Sequence, residues 1–364
     1  MEDLVAAELK ELGADDACPA YRGCYFEAEP EALYRINYCS RLISHVLAPL
    51  ITFQCHSDRY LYKTARKLDW ESLFGLEETF VIAANASDST VHHSQFAAQR
   101  LKDAIADHFR EKHGERPSVD RREADLWLNL NIHRNKAIIS IDCSGGSLHR
   151  RGYRAVSREA PVQELLAAAM LRHSGWRGET PLVDPMCGAG TILAEALMLA
   201  GGIPPAGRRM AGKPPFARLP DFDPELWKRV KTAADGAVKP LPPGLVTGSD
   251  IDPQAISAAR HNLDLLPDTT KDMVSCRDFR DIESLEGMTI VTNPPYGKRL
   301  GERDRVKVLY KELGDFLKQR CKNSTAWILV GDIELVKSIG LRTKQRIRLY
   351  NGALECRLVE IPIY

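Results

Sequence analysis

The sequence predicts an α/β fold: a seven-stranded, mostly parallel sheet over residues 160–364, preceded by two small α+β units. Three observations lead to this prediction. Short apolar strands alternate with helical segments in the second half of the chain, which is the pattern of a parallel sheet. A turn that contains two glycines, at residues 184–191, follows the first of these strands. Near the end, Asn351 and Gly352 separate two alternating runs, which predicts an antiparallel hairpin.

Chain length, net charge and cysteine content narrow the functional classes. With 364 residues the chain exceeds the size of one ordinary core, so we expect two or three domains. The net charge is only +1, so any contact with nucleic acid must come from local basic patches. The nine cysteines include no C-x-x-C pair, which favours reduced thiols in the cytoplasm over disulfides or a zinc site. No apolar run is long enough for a membrane span, and the acidic start does not resemble a signal peptide.

Residues 1–55 are predicted to form the first α+β unit. Apolar residues at helical spacing predict a helix over residues 2–12, and a strand is expected near residues 24–28. Pro30 is expected to open a second helix. The apolar segment at residues 40–50 is assigned to this unit as well.

Residues 56–150 are predicted to form the second α+β unit. Its expected elements are a strand, a helix and two further strands, at residues 79–84, 94–110, 124–132 and 137–142. Arg121 and Arg122 follow an irregular loop and are candidate RNA contacts. His92 and His93 have no carboxylate or cysteine at ligand spacing, so no metal site is predicted.

A basic segment joins this unit to the C-terminal domain, and residues 151–159 are predicted to be a linker. Arg150, Arg151 and Arg154 stand close together, with Tyr153 between them. Arginines beside a tyrosine suit a segment that contacts phosphates and stacks on a base. The alternative is an ordinary solvated linker.

The C-terminal domain alternates strands and helices. The predicted strands lie at residues 182–184, 245–250, 273–278, 288–291, 326–330, 346–350 and 354–361. Helices are predicted at residues 161–171, 192–199, 253–261 and 306–321, and a Gly- and Pro-rich insertion at residues 201–243 carries one more at 224–234.

Ligands of such sheets bind at the carboxyl ends of the strands, and three acids are predicted to lie there. Asp184 precedes a turn with Gly188 and Gly190, and this turn is neither a P-loop nor a dinucleotide fingerprint. Asp250 can bind both hydroxyls of a ribose. Asp278 can bind an adenine amino group while the ring of Phe279 packs on the base. A nucleoside without phosphates indicates S-adenosylmethionine.

Asn293, Pro294, Pro295 and Tyr296 follow a short buried strand and form a stiff loop, because two prolines end both sheet pairing and helix. The Asn293 side-chain oxygen and the Pro294 carbonyl can each accept one N–H of a planar amine, and Tyr296 can stack on the ring. The alternative is a simple Pro-Pro turn. A covalent mechanism through Cys187 is disfavoured, because this cysteine lies in the predicted cofactor turn.

The motifs at residues 184–191, 248–252 and 293–297 resemble those of the THUMP-containing class I (Rossmann-like) RNA methyltransferases. The segment at residues 144–154 is similar to the bacterial branch that methylates guanine N2 in 23S ribosomal RNA, and the N-terminal unit resembles its ferredoxin-like domain. The resemblance implies S-adenosylmethionine as cofactor, RNA as partner, and Asn293, Pro294 and Tyr296 around the base. The implied cofactor residues are Asp184, Cys187, Gly188, Gly190, Thr191, Asp250, Ile251, Asp278, Phe279 and Asn293. Transfer to tRNA, transfer to adenine N6, and a non-catalytic RNA-binding role remain alternatives.

Overall fold

The computed structural model describes residues 1–156, 162–267, 271–297 and 303–364. The first part of the chain folds into two helices beside a small antiparallel sheet. Its elements are α1 (Glu2–Glu11), β1 (Asp15–Ala20), β2 (Gly23–Glu27) and α2 (Pro30–Cys39). Pro30 occupies the first turn of α2, where a missing N–H costs nothing.

The second part forms a five-stranded mixed sheet with the strand order β3-β7-β6-β4-β5. Its elements are β3 (Leu47–Gln54), α3 (Asp58–Ala65), β4 (Thr79–Ser87), α4 (Ser94–His113), β5 (Ser118–Val119), β6 (Leu126–His133) and β7 (Lys136–Asp142). Strand β6 alternates strictly between buried and half-buried residues, as its sequence predicts. Strand β3 lies in this sheet, paired with β7. Assigning residues 47–50 to the N-terminal unit was therefore wrong, because the partner strand lies far away along the chain.

The third part carries a seven-stranded sheet with the order β10-β9-β8-β11-β12-β14-β13. The strands are β8 (Leu182–Asp184), β9 (Val246–Asp250), β10 (Val274–Cys276), β11 (Thr289–Thr292), β12 (Thr325–Val330), β13 (Gln345–Asn351) and β14 (Leu354–Pro362). The pairs from β10 to β12 are parallel and the two pairs of β14 are antiparallel. The predicted sheet is thereby confirmed.

Helices cover both faces of this sheet: α5 (Glu164–Ser174), α6 (Thr191–Ala200), α8 (Pro253–Leu263), α9 (Arg303–Arg320) and α10 (Ile333–Ile339). The remaining helix, α7 (Pro224–Gly236), packs on α2 instead. Asp252 caps α8 as predicted, through its side chain and the N–H of Gln254. The short α10, which Asp332 caps, was not among the predicted helices. Pro161, the expected first residue of α5, lies outside the described residues. In the part of the chain that the structure describes, no helix is long and apolar enough to cross a membrane.

The Gly- and Pro-rich insertion docks the third part of the chain onto the first two. The ring of Phe216 stacks on Tyr34 with centroids 4.8 Å apart, and Trp227 meets the edge of the same cluster. Tyr38 donates a hydrogen bond of 2.7 Å to Asp235 in α7. Arg209 donates to the backbone carbonyls of Ser144 and Ser147, at 2.7 and 2.5 Å. The insertion therefore contributes to a shared hydrophobic core.

The basic segment that contains Arg151 is buried where the second and third parts of the chain meet. Arg151 is only 2% exposed. Its guanidinium donates to the carbonyls of Leu148 and Arg41, at 2.8 and 2.5 Å, and lies 3.4 Å from Glu195 of α6. The Tyr153 hydroxyl donates to the same Glu195 oxygen. The predicted RNA-contact role of Arg151 and the stacking role of Tyr153 are therefore wrong.

Arg154 also forms its hydrogen bonds with other residues of the chain. It donates hydrogen bonds to Glu164, the Val162 carbonyl and the Thr191 hydroxyl, at 2.8, 2.9 and 3.0 Å. Arg154 is half-buried, so an RNA contact there stays a prediction, although three partners within the chain already occupy its guanidinium. Arg150 alone of the three is exposed, and its contact with RNA stays a prediction.

Candidate active site

The site lies where the strand order reverses. Strand β8 pairs with β9 on one side and with β11 on the other, and all three strands run parallel. Their carboxyl ends therefore meet at one edge of the sheet, which is where ligands of such folds bind. Asp184 and Asp250 are the last residues of β8 and β9, and Asn293 directly follows β11.

Asp184 is buried at the centre of this edge, with 1% exposure. One carboxylate oxygen accepts hydrogen bonds from the Thr292 hydroxyl at 2.7 Å and from the Met186 N–H at 3.1 Å. Burial raises the pKa of Asp184 to about 7, the two hydrogen bonds oppose this, and the charge of Asp250 adds to it. Thr292 thus links β11 to β8, a role that was not predicted from the sequence.

Replacing Asp184 with asparagine is expected to stabilise the protein above neutral pH. The pKa of the folded state lies above the unfolded value, so this carboxyl's contribution is fully present below about pH 4 and is lost as the pH rises through about 7. Asparagine keeps an oxygen for Thr292 but does not ionise. The difference in unfolding free energy between Asp184→Asn and wild type should grow from near zero at low pH to about 4 kcal/mol above pH 7. Urea unfolding across this range checks it, and a pH-independent difference would contradict it.

The turn after Asp184 offers backbone groups rather than side chains. Gly188 has φ +54°, and a Cβ there would meet nothing within 4 Å, so the backbone is open to a ligand. Gly190 has φ +81°, but a Cβ there would lie 3.2 Å from Ala259 of α8, so this glycine permits helix packing. Cys187 is buried, and burial raises the pKa of its thiol. Its sulfur is therefore poorly suited to nucleophilic attack.

Asp250 fixes this turn from the neighbouring strand. Its two carboxylate oxygens accept one hydrogen bond each, from the N–H of Gly188 and of Asp252, both at 2.9 Å. The next residue, Ile251, is 66% exposed at the end of the strand. An anchored carboxylate beside an exposed apolar side chain suits a ribose and an adjoining flat ring. Thr191 is buried and its hydroxyl already accepts the Arg154 hydrogen bond.

Asp278 and Phe279 follow β10 in a short 3₁₀ turn. Asp278 accepts hydrogen bonds from the N–H and the guanidinium of Arg280, at 3.0 and 2.6 Å. Phe279 is only 3% exposed and packs against Phe316, with ring centroids 5.5 Å apart. The guanidinium of Arg280 covers the Phe279 ring. The expectation that this ring packs on an adenine is therefore not met in this arrangement, because the ring belongs to the core.

The loop after β11 holds Asn293 and Tyr296 against each other. The Tyr296 hydroxyl donates a hydrogen bond to the Asn293 side-chain oxygen. The Tyr296 ring lies directly on Gly331, because a Cβ at residue 331 would come within 2.6 Å of it. Burial raises the pKa of Tyr296, so the hydroxyl stays protonated and remains a donor. Gly331 was not among the predicted site residues, although a glycine directly after an apolar strand is a signal of close approach.

The other predicted site residues lie away from this edge or stay untested. Arg121 and Arg122 are exposed beside β6, and their RNA contact remains a prediction. Among the described residues one group has metal-ligating chemistry, Asp69, Glu71 and His108 in the second part of the chain. Glu71 is already paired with Lys112 and His113, which hold its pKa down at about 2. The absence of a metal therefore also remains a prediction.

Family comparisons agree with this geometry. The model of the RMKL-like methyltransferase domain matches residues 151–360, a THUMP domain matches 56–142 and the RlmL ferredoxin-like domain matches 1–47. The chain belongs to the RMKL-like methyltransferase family. The recognition made from the motifs is thereby confirmed. This family consists of S-adenosylmethionine-dependent RNA methyltransferases, so S-adenosylmethionine is the methyl donor and RNA is the substrate class.

Individual relatives cover the chain to different extents. A Synechocystis protein named as an RNA methyltransferase, slr0064, is 39% identical over 100% of this chain and 94% of its own length. The ribosomal RNA large subunit methyltransferase K/L of Syntrophotalea carbinolica is also 39% identical over 100% of this chain, but over only 52% of its own length. The chain thus spans about half the length of the K/L relatives. The crystal structure of SMU.472, named as a methyltransferase and complexed with SAH, superposes with a TM-score of 0.85 at 26% identity, over 100% of this chain and 95% of that one.

The residues of this RMKL-like methyltransferase fit the donor. Gly188 leaves open space at its backbone, Asp250 is oriented by two N–H groups, and Ile251 is exposed beside it. Gly188 and Asp250 therefore form a cradle without basic side chains, which suits an uncharged nucleoside better than a phosphate.

Proposed function

We propose that the chain transfers a methyl group from S-adenosylmethionine to the exocyclic N2 of a guanine in 23S ribosomal RNA. The observation that carries this proposal is the position of Asn293 and Pro294, directly beyond β11 and beside Asp184. The name of the K/L relatives supports ribosomal RNA of the large subunit. A cytoplasmic location belongs to the same proposal, and so does the division into an N-terminal unit, a second unit that includes β3, and a methyltransferase domain over residues 160–364.

Within this proposal Asn293 and Pro294 act by positioning. The Asn293 side-chain oxygen accepts one N–H of the target amine and the Pro294 carbonyl accepts the other. Both N–H bonds are then oriented away from the amine lone pair, which faces the buried end of β8. S-adenosylmethionine, when bound, supplies an electrophilic methyl group. The methylated amine carries a positive charge and loses its extra proton to water, so no strong base is required.

In this proposal the Tyr296 hydroxyl occupies the place of the target amine. It donates to the Asn293 oxygen that the target amine requires. A base that enters the site therefore has to replace this hydrogen bond, and its amine is the matching donor. Released from Asn293, the Tyr296 ring is placed to stack on the base. Gly331 limits how far the Tyr296 ring can move away from the base, because the ring lies directly on this glycine.

Gly331→Ala is expected to lower the turnover of methyl transfer about tenfold to a hundredfold, because a Cβ would push the Tyr296 ring toward the base position. Affinity for SAH should not change. Steady-state rates with RNA and calorimetry with SAH separate the two effects. Gly236→Ala is the matched control, because a Cβ at the end of α7 meets nothing within 4 Å. Equal turnover in both variants would show that Gly331 does not limit the acceptor site.

The acceptor is tested with radiolabelled S-adenosylmethionine and total RNA from a strain that lacks the protein. Size fractionation after the reaction separates 23S ribosomal RNA from tRNA. Label in the 23S fraction supports the proposal, and label in the tRNA fraction would replace it with the tRNA alternative. If calorimetry showed no binding of S-adenosylmethionine, a non-catalytic RNA-binding role would be the better account.

A further inference from the structure

The outermost strand of the large sheet, β13, carries a row of exposed side chains. Arg346, Arg348 and Tyr350 stand at alternate positions, so they project from one face of the strand. Tyr350 is 53% exposed, whereas Leu349 between the row's members is fully buried. We refer to Arg346, Arg348 and Tyr350 as the β13 row.

The β13 row ends beside the acceptor loop. Arg357 of β14 pairs with Val330 of β12 and with Arg348 of β13, so the β13–β14 turn lies at the carboxyl edge of the sheet. Strand β12 is parallel to β11, which places Asn293 at the same edge. Asn351, the last residue of β13, opposes the rise in the pKa of Tyr296, although its side chain projects from the face of the strand opposite to the row. A strand of RNA with its target base at Asn293 would therefore pass along β13.

The charge of the row is largely uncompensated. Arg348 forms no hydrogen bond or salt bridge with any residue that the structure describes, and Arg346 donates only to the Thr343 hydroxyl, at 3.0 Å. The hairpin contains two acids. Glu355 pairs with Arg357 at 2.7 Å, and Glu360 pairs with Lys344 at 2.9 Å. Glu355 also accepts a hydrogen bond from the Tyr350 hydroxyl at 3.2 Å and interacts with the charge of Arg348. The row therefore has one acid beside it, and its two guanidinium groups still leave a net positive charge for an anionic partner.

We propose that the β13 row binds unpaired nucleotides that flank the target base, an inference that rests on the proposed function. Alternate residues of a strand are about 7 Å apart, so the two arginines can each bind one of two neighbouring phosphates. The planar guanidinium suits phosphate oxygens better than an ammonium does. Tyr350 stands near the carboxyl end of β13, at the same edge of the sheet as the acceptor loop, and its exposed ring can stack on a flanking base.

Charged residues on an edge strand also prevent sheets from pairing edge to edge. That role needs charge but not a particular sign, since a glutamate blocks pairing as well as an arginine. Binding of RNA needs positive charge. Reversal of sign at both arginines therefore separates the two roles.

The test compares Arg346→Glu/Arg348→Glu with Lys318→Glu/Lys322→Glu in the full chain. Lys318 and Lys322 are exposed near the end of α9, at the opposite edge of the sheet, and their reversal changes the net charge equally. The probe is unmodified 23S ribosomal RNA transcribed in vitro, measured by filter binding over a range of salt concentrations. We expect the β13 variant to bind at least about tenfold more weakly, with a salt slope smaller by about one per lost phosphate contact.

Affinity for SAH should be unchanged in both double variants, which shows that the site is folded. Arg346→Lys/Arg348→Lys should retain most of the RNA affinity. Equal RNA binding by the two glutamate variants would overturn the inference. If the wild-type chain did not bind the transcript, both the inference and the proposed function would be wrong. Binding by the wild type without methyl transfer would overturn the proposed function alone.

Discussion

Asn293→Ala is expected to lower the rate of methyl transfer about a thousandfold, because the variant lacks one of the two acceptors that orient the target amine. The Asn293 oxygen is a working acceptor in the described structure, since the Tyr296 hydroxyl already donates to it. Truncation does not touch the bonds that hold Gly188 and Asp250. The affinity for SAH should therefore stay within about twofold. Single-turnover rates with saturating RNA, together with calorimetry, measure both quantities.

Asp250→Ala is expected to weaken the binding of SAH, which Asn293→Ala should leave nearly unchanged. Removal of this carboxylate frees the N–H of Gly188 and Asp252 and takes away the expected ribose ligand, so SAH should bind at least about tenfold more weakly. An equal loss of SAH affinity in the Asn293 and Asp250 variants would contradict the division of the site into a donor half and an acceptor half.

Arg151→Ala is expected to lower the free energy of unfolding by about 3–5 kcal/mol, because it leaves Glu195 buried without its partner. Burial raises the pKa of Glu195 and the charges of Arg151 and Arg41 oppose this, so loss of Arg151 removes the larger of the two opposing charges. The substitution also deprives the Leu148 and Arg41 carbonyls of their donor. Urea unfolding, followed by circular dichroism, gives the difference.

Arg150→Ala is the matched control for this prediction. Arg150 is exposed and adjacent in sequence, so its removal should change stability by no more than about 0.5 kcal/mol. Arg151→Met combined with Glu195→Leu should recover much of the lost stability, because it removes both buried charges. Similar stability in the Arg151 and Arg150 single variants would show that the contact between Arg151 and Glu195 does not stabilise the fold.

The sequence predicted those parts of the fold that depend on neighbours along the chain. Apolar runs predicted the seven strands of the large sheet, and Asp252 with Pro253 predicted the start of α8. Asp184, Asp250 and Asn293 were placed at or just beyond strand ends because each directly ends or follows a run that is recognisable by itself. Parallel topology then brings such ends together, so three local signals sufficed to predict that these residues meet at one edge of the sheet.

Features that depend on distant partners were missed or misread. Thr292 bonds to Asp184 across 108 residues, and nothing local marks that pair. The arginines at 151 and 154 are indistinguishable in sequence from exposed ones, and their partners lie on other elements. Phe279 has the spacing of a base-packing ring but completes the core against Phe316 on α9.

The most direct test of the central claim is nucleoside analysis of 23S ribosomal RNA. RNA from a strain that lacks the protein is incubated with purified chain and S-adenosylmethionine, digested and examined by mass spectrometry. The account predicts new N2-methylguanosine, present with wild type and absent with Asn293→Ala. New N6-methyladenosine, or no new methylated nucleoside at all, would contradict it.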